Sequence, residues 1–120
     1  MGCIREQIVI VGMRKNIKVL ALFDSGAYRN YIKRELDDGE SPDDIGFHIY
    51  EGKHDAIMAN GEIAAGERVR FKGVHVKGCN VNEPSFVILD QLSEYVIIGA
   101  ELMQELGITL DLPNEKICIL

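Results

Sequence analysis

The sequence is short of basic residues and of long apolar runs, and each shortage excludes a class of partner. Its 13 lysines and arginines stand against 19 aspartates and glutamates, which gives a net charge of −6. Nucleic acids and anionic membranes bind proteins through basic patches, so neither is expected as a partner. The longest apolar runs, such as residues 19–23, are far too short to cross a bilayer.

Cysteine is also scarce. The three cysteines are widely spaced and form no Cys-x-x-Cys pair, which favours reduced thiols in a cytoplasmic protein over a disulfide framework. The first residues lack the apolar block of a secretory signal peptide, which also favours the cytoplasm. The three histidines lack metal-ligand spacing, so no metal is expected.

What the chain does contain is an ordinary globular composition. Of its 120 residues, 47% are apolar and 27% are charged, a balance that argues against disorder and is sufficient for one hydrophobic core. It has no proline- or serine-rich linker and no repeat at solenoid or propeller spacing. The sequence therefore predicts one domain that spans residues 1–120.

Strand signals dominate this domain. Apolar runs at residues 7–11 and 17–23 flank a loop with Gly12 and Asn16, which predicts a hairpin. Asn60-Gly61 is the strongest hairpin-turn pair in the chain. Further strands are predicted at residues 69–76, 85–89 and 95–98, and a closing hairpin at 108–120. A helix is predicted at 100–106, a shorter one within 29–36, and at most one helical turn after Ser41. The fold class is mostly β.

Residues 24–27, Asp-Ser-Gly-Ala, are the first candidate for chemistry. Asp24 follows an apolar strand directly, which brings a carboxylate to the rim of the core. The Ser25 hydroxyl can hydrogen-bond within the turn, and Gly26 lets backbone approach a ligand closely. The same tripeptide could also be only a turn that ends a strand.

Two other uses of this segment are excluded by its neighbours. A phosphatase of the Asp-x-Asp type needs a second carboxylate at position 26, where Gly26 stands. A serine nucleophile elbow needs glycines two positions before and two positions after the serine, and Phe23 occupies the first of these.

Four elements in order resemble the retropepsin-like aspartic proteases over nearly the whole chain. The Asp-Ser-Gly-Ala segment corresponds to the first motif of that family, and the hairpin about Asn60-Gly61 to its flap. Ile97-Ile98-Gly99 corresponds to the second motif, and residues 108–117 to the closing strand pattern. Tyr28 and Glu101 depart from the family pattern, and Tyr28 is expected to narrow the cleft.

The resemblance implies an acid protease fold: a closed β-barrel with one short C-terminal helix, active as a homodimer. Aspartic protease chemistry needs two carboxylates that share one proton. One such motif in 120 residues implies that the second carboxylate is Asp24 of a symmetry-related copy. The apolar residues 117–120 would then lie in a sheet between the subunits.

Roles follow from the resemblance residue by residue. Asp24 is expected to be catalytic, with Ser25 and Gly26 supporting the catalytic loop. Five residues are expected to bind a polypeptide substrate, namely Ala27, Met58, Ala59, Asn60 and Gly61. The implied function is an aspartic endopeptidase without metal or cofactor. A noncatalytic dimer that binds peptides is the alternative, and a β-barrel interaction module that only mimics the motif order is a weaker third.

Overall fold

The computed structural model describes residues 3–58 and 60–119, which form thirteen strands and two helices. The strands are β1 (Cys3–Val11), β2 (Asn16–Asp24), β3 (Tyr31–Lys33), β4 (Ile49–Lys53), β5 (Ala56–Ile57), β6 (Ile63–Ala64), β7 (Gly66–Arg70), β8 (Gly73–Val76), β9 (Cys79–Asn82), β10 (Ser85–Leu89), β11 (Val96–Ile98), β12 (Ile108–Asp111) and β13 (Lys116–Ile119). The helices are α1 (Pro42–Ile45) and α2 (Ala100–Leu106). The mostly β prediction is confirmed.

Nine strands form one sheet in the order β4-β7-β10-β3-β11-β2-β1-β8-β9. The predicted hairpin of β1 and β2 is confirmed, with nine paired positions from Cys3↔Asp24 to Val11↔Asn16. Two small hairpins stand apart from this sheet, one of β5 and β6 and one of β12 and β13. The last of these confirms the predicted C-terminal hairpin.

The predicted closed barrel is wrong for the described residues. Residues 71 and 72 connect β7 to β8, which lie near opposite ends of the strand order, so the sheet curls around its core. The outermost strands, β4 and β9, nevertheless pair with one neighbour each. Most of their positions are exposed or half-buried, as expected of strands at the edges of a sheet, and short edge strands with charged side chains such as Glu51 and Lys53 resist edge-to-edge pairing.

The main core lies inside the curl of the sheet. Phe23, Phe71 and Phe86 are fully buried, and the last two pack edge to face with ring centroids 5.5 Å apart. Aromatic side chains of this size contribute the most apolar burial per residue, and edge-to-face packing adds to it. The alternation predicted at residues 69–76 is confirmed, because Val69 and Val74 are also fully buried.

The helix predicted within residues 29–36 is wrong. Residues 31–33 form β3, which pairs in parallel with β10 and antiparallel with β11. Ile32 is fully buried in the main core at the centre of this arrangement. Pairing with strands that are distant in sequence therefore decides the structure of this short segment, although a helix was predicted for it.

Helix α1 is a single turn. It is present in addition to the one C-terminal helix of the predicted fold. Its cap is reciprocal, because the Ser41 hydroxyl accepts from the backbone N–H of Asp44 while the Asp44 carboxylate accepts from the backbone N–H of Ser41. Backbone hydrogen bonds to Asp44 lower the pKa of that carboxyl. Such a capping box satisfies donors that a helix start otherwise leaves unpaired.

Neither helix of the described residues is long and apolar enough to cross a membrane. The three cysteines are free thiols in this structure. Cys3 is exposed, and the other two are half-buried.

Charged side chains connect the strands on the outer surface of the sheet. Arg34 Nη2 donates to Glu67 Oε2 at 2.8 Å, and the Tyr50 hydroxyl donates to Glu67 Oε1 at 3.0 Å. These two donors, of which Arg34 has the larger effect, hold the pKa of Glu67 below its ordinary value of 4.5. A carboxyl with a lowered pKa stabilises the folded state above that ordinary value, and the stabilisation disappears as the pH falls through the folded pKa.

Glu67→Gln should therefore destabilise the protein at neutral pH but not in acid. The expected loss is about 0.5 kcal/mol in the free energy of unfolding, because the pair is partly exposed and screened by solvent. Urea unfolding at pH 7 and at pH 3 measures both values. Glu105→Gln, which removes one exposed charge from α2, serves as the control. An equal loss for Glu67→Gln at the two pH values would contradict this role of the ion pair.

Candidate active site

Asp24 is the last residue of β2, and its side chain reaches an open cleft. Its Oδ1 accepts a hydrogen bond from the Gly26 N–H at 2.8 Å, and its carbonyl accepts one from the Ala27 N–H at 3.1 Å. Aspartate commonly stabilises a turn in this way, by bonding the backbone two residues later. The turn fixes the carboxylate at the point where the strand leaves the core.

The second motif lies directly beside the first. Strand β11 pairs in parallel with β2, with Ile97 opposite Leu22 and Ile98 opposite Phe23. Two backbone hydrogen bonds then attach the start of α2 to the segment after the turn. The Ala100 N–H donates to the Ala27 carbonyl at 2.7 Å, and the Glu101 N–H donates to the Tyr28 carbonyl at 3.1 Å.

Gly99 makes this close approach possible. A Cβ atom at this position would lie 2.3 Å from the Arg29 carbonyl oxygen and 2.6 Å from the Tyr28 carbonyl oxygen. No side chain fits at those distances, so the apolar-apolar-Gly pattern has a steric cause here. The glycine lets α2 pack directly against the backbone of the first motif.

A buried amide connects the two motifs as well. Asn30 is 5% exposed, and among the described residues it is the one polar residue that is buried. Its Oδ1 accepts from the Gly99 N–H at 3.0 Å, and its Nδ2 donates to the Ser85 carbonyl at 3.1 Å. Asn30 therefore satisfies one backbone group from the second motif and one from β10. The sequence analysis did not single it out.

The cleft beside Asp24 has a volume of about 350 Å³. Its lining is mostly apolar or aromatic and comprises Asp24, Gly26, Ala27, Tyr28, Tyr31, Ala56, Ile57, Met58, Leu89, Leu92 and Ile97. Among the described residues that line it, Asp24 is the one carboxylate. Of these residues, only Asp24, Ala27 and Met58 were predicted from the sequence to contact substrate or perform chemistry, and Gly26 was predicted to support the loop.

A second, smaller apolar cluster forms the cleft wall. Strand β10 is buried on both faces: Phe86 and Ile88 belong to the main core, while Val87 and Leu89 pack in this cluster with Ala56. Partly buried Tyr31, Met58, Ala64 and Leu92 complete it. The cluster holds the base of the β5–β6 hairpin against the sheet, so this hairpin covers one side of the cleft.

The described turn residues of that hairpin do not belong to the cleft lining. Met58 lines the cleft, whereas neither Asn60 nor Gly61 belongs to its lining. Gly61 has a φ of +86°, which suits glycine, and its N–H donates to the Met58 carbonyl at 2.9 Å. Ala59, also expected to bind substrate, lies outside the described residues. The predicted turn at Asn60-Gly61 is confirmed, while its contact with substrate stays a prediction.

Ser25, in the turn of residues 24–27, contacts a different concave surface from the one that Asp24 reaches. It lines a separate, mostly apolar groove of about 460 Å³ together with Ala100, Met103, Gln104, Ile108, Thr109, Leu110 and Leu112. Leu112 is 47% exposed. The adjoining strand β13 pairs with β12, and Ile117 is buried in the main core of the same chain. Within this chain, β13 therefore packs against the core, Leu120 lies outside the described residues, and the sheet expected between subunits stays a prediction.

Tyr28 and Glu101, which depart from the family pattern, are backbone neighbours, but only Tyr28 lines the cleft, while Glu101 borders a separate small pocket. The Tyr28 ring lines the cleft and is 59% exposed. Its hydroxyl donates a hydrogen bond to the Glu101 carboxylate, and this bond raises the pKa of Tyr28. The expected narrowing of the cleft by Tyr28 is consistent with its place in the lining.

The sequence matches the model of a known protein family. The family model for aspartyl proteases matches residues 9–109. No curated protein matches the sequence significantly.

Solved structures give the same fold. The retroviral protease-like domain of Ddi1 from Leishmania major superposes with a TM-score of 0.70 at 15% identity, covering 99% of this chain and 89% of that one. A retropepsin-like aspartic protease from Rickettsia conorii superposes with a TM-score of 0.58 at 12% identity, covering 92% of this chain and 84% of the other. The two likenesses confirm a retropepsin-like fold.

Proposed function

Because the chain belongs to the aspartyl protease family, we propose that it is an aspartic endopeptidase that acts as a cytoplasmic homodimer on a polypeptide substrate. The observation that carries this proposal is the position of Asp24. Its carboxylate enters a mostly apolar cleft from a turn at the end of a strand whose residues Ala21 and Phe23 are buried in the core, and it is the one carboxylate among the described lining residues. A second copy of the chain would supply the partner carboxylate. The free cysteines support a reducing location.

The chemistry divides between the two Asp24 side chains. One Asp24 is ionised and takes a proton from a water molecule, while the oxygen of that water attacks the scissile carbonyl carbon. The other, protonated, gives its proton to the carbonyl oxygen, which forms a tetrahedral diol. When the C–N bond breaks, the first Asp24 gives the proton that it took from water to the departing amine nitrogen, and the second takes a proton from a diol hydroxyl, which leaves the new carboxyl group and restores the starting dyad. No covalent bond forms between the enzyme and the substrate.

The groove beside Ser25 supports the homodimer. It adjoins the catalytic turn at a surface separate from the cleft, and much of its lining is apolar. A two-fold axis beside this turn would bring the two Asp24 carboxylates together and cover both grooves. Ser25 of each copy would then stabilise the loop that carries the carboxylate.

Leu112→Asp should dissociate the dimer without unfolding the subunit. Leu112 is 47% exposed in the single chain, so the subunit tolerates a charge there, whereas the interface would have to bury two of them. We expect the dissociation constant to rise at least about 100-fold. Sedimentation should then report a monomer of 13.4 kDa.

Met13→Asp is the matched control, because Met13 is 56% exposed and lies in the loop between β1 and β2. This variant should sediment as the parent does. A Leu112→Asp variant that remains dimeric would contradict the placement of the interface at this groove.

One observation favours the alternative, a dimer that binds peptides without cleaving them. The β5–β6 hairpin has two paired positions, and Asn60 and Gly61 at its tip stand outside the cleft lining. A hairpin that does not close leaves water in the site and a substrate poorly held, which suits binding better than catalysis.

Turnover of a diverse peptide library, measured from acid to neutral pH, separates the two functions. An endopeptidase should cleave a subset of peptides with a pH profile bounded by the two ionisations of the dyad. A statine-type transition-state mimic should inhibit that cleavage. Peptide binding without cleavage by a dimer of proven integrity would favour the alternative.

A further inference from the structure

One wall of the cleft is a loop with little backbone support. Residues 90–95 connect β10 to β11 and form neither helix nor strand. Leu92, near the middle of this loop, lines the cleft and packs partly buried in the second apolar cluster. Among the described residues, no backbone–backbone hydrogen bond involves residues 90–94. Side-chain contacts therefore have to hold Leu92 at the cleft.

An arginine ion pair holds each end of this loop. Glu94 accepts two hydrogen bonds from Arg5 of β1, Nε to Oε1 at 2.9 Å and Nη2 to Oε2 at 3.1 Å. At the other end, Asp90 accepts from Arg34 Nε at 2.5 Å. The Glu94 side chain is 21% exposed, whereas that of Asp90 is 71% exposed. Water screens the Asp90 pair more strongly, so the two-bond pair of Arg5 and Glu94 is the stronger restraint on the loop.

Strand register places Arg5 on the cleft side of the sheet. Residues directly opposite each other on neighbouring strands project from the same face. Arg5 is opposite Leu22, and Leu22 is opposite Ile97. Ile97 is in turn opposite Tyr31, and both of these residues line the cleft. The ion pair of Arg5 and Glu94 therefore holds the loop from the same face of the sheet that carries the cleft.

We propose that Arg5 and Glu94 are positioning residues, whose ion pair fixes Leu92 and thereby the width of the cleft at this wall. The inference rests on the proposed function, because it concerns how the same cleft holds a substrate. Neither residue belongs to the described lining of the cleft, so both act through Leu92. A fixed wall selects an apolar substrate side chain by its size. A released loop accepts more sizes and holds each of them less well, because binding must then order the loop.

Glu94→Gln tests this role, because it removes the charge from the loop and keeps the length of the side chain. The substrates are extended peptides in which one apolar position is alanine, leucine, phenylalanine or tryptophan. We expect the parent to prefer one size over another at least about tenfold in kcat/KM. In Glu94→Gln, KM for the preferred peptide should rise about fivefold while kcat stays within about twofold, and the size preference should fall about threefold.

Reversing the pair tests whether the contact itself matters. Arg5→Glu and Glu94→Arg should each reduce the size preference when made alone, since each puts like charges together. The double variant restores opposite charges and should recover at least about half of the parent preference. A double variant no more selective than the two single variants would overturn the inference.

Glu40→Gln is the matched control, because Glu40 also pairs with a basic side chain, that of Lys15, but lies outside the described cleft lining. It should leave KM and the size preference unchanged. Arg5 also borders a pocket with Leu112 of the proposed interface, so every variant is sedimented as well. A monomeric Glu94→Gln variant would mean that the pair acts through the interface and would overturn the inference. Unchanged KM and size preference, or a loss confined to kcat, would overturn it too.

Fluorescence anisotropy of the same peptides keeps this inference separate from the proposed catalysis. A parent protein that cleaves no peptide but binds one size more tightly, with this preference reduced in Glu94→Gln, would overturn the endopeptidase and support the positioning role. Cleavage with the same size preference in the parent and in Glu94→Gln would support the endopeptidase and overturn the positioning role. Binding of no peptide by the parent would overturn both.

Discussion

Replacing Asp24 with asparagine is expected to reduce peptide turnover at least about 10⁴-fold, because the amide can neither accept the proton of water nor donate an acid proton to the scissile carbonyl. A symmetric dimer loses both of its catalytic groups through this one change. The turn itself should survive. Asparagine retains an Oδ1 that can accept the Gly26 N–H, as the aspartate does at 2.8 Å.

The measurement is turnover of the best library peptide, beside sedimentation and urea unfolding of the same preparation. Asp43→Asn, a change of one exposed carboxylate on α1, is the control for the loss of charge and should keep full activity. A dimeric, folded Asp24→Asn variant with even a tenth of the parent rate would contradict the shared carboxylate mechanism. Peptide affinity retained without turnover in either protein would support the binding alternative.

The parts of the fold that the sequence predicted correctly are those with local causes. The β1–β2 hairpin follows from two apolar runs around a short loop, and the β5–β6 turn from Asn60-Gly61. Helix α2 ends at Gly107, as predicted, with a φ of +67° that glycine adopts without strain. Each of these depends on residues within a few positions of one another.

The parts that could not be predicted depend on contacts between distant segments. Residues 31–33 become a strand because β10 and β11 flank them. Tyr31 and Ile32 favour strands, but three residues are too few for an alternating pattern to indicate one. Strands β4 and β9 were not predicted either, since their mixed polar sequences match edge positions that only the finished sheet defines. Barrel closure likewise depends on whether those two edges meet.

The candidate site shows the same division. Asp24 was identifiable because a carboxylate after an apolar strand forms a local pattern. The wall residues Tyr31, Leu89 and Leu92 are brought to the cleft by strand order, which no local pattern encodes. Asn30 carried no signal, because a single asparagine between Arg29 and Tyr31 normally indicates an exposed loop.

Asn30→Ala is expected to destabilise the protein by about 4 kcal/mol, since it leaves two backbone groups without their side-chain partner at about 2 kcal/mol each. The Gly99 N–H would lose its acceptor at 3.0 Å, and the Ser85 carbonyl its donor at 3.1 Å. The first bond is buried, so water cannot readily replace the amide there. Urea unfolding measures the loss, with an unchanged m-value confirming that the same surface is exposed.

Asn82→Ala is the matched control, because Asn82 is exposed on β9 and its amide bonds only the neighbouring Asn80 side chain among the contacts of the described residues. Its expected cost is within about 0.5 kcal/mol. A similarly small cost for Asn30→Ala would mean that a water molecule takes the place of the amide. The two motifs would then be held together mainly by the backbone bonds from Ala100 to Ala27 and from Glu101 to Tyr28, and the buried asparagine would position the second motif without stabilising it.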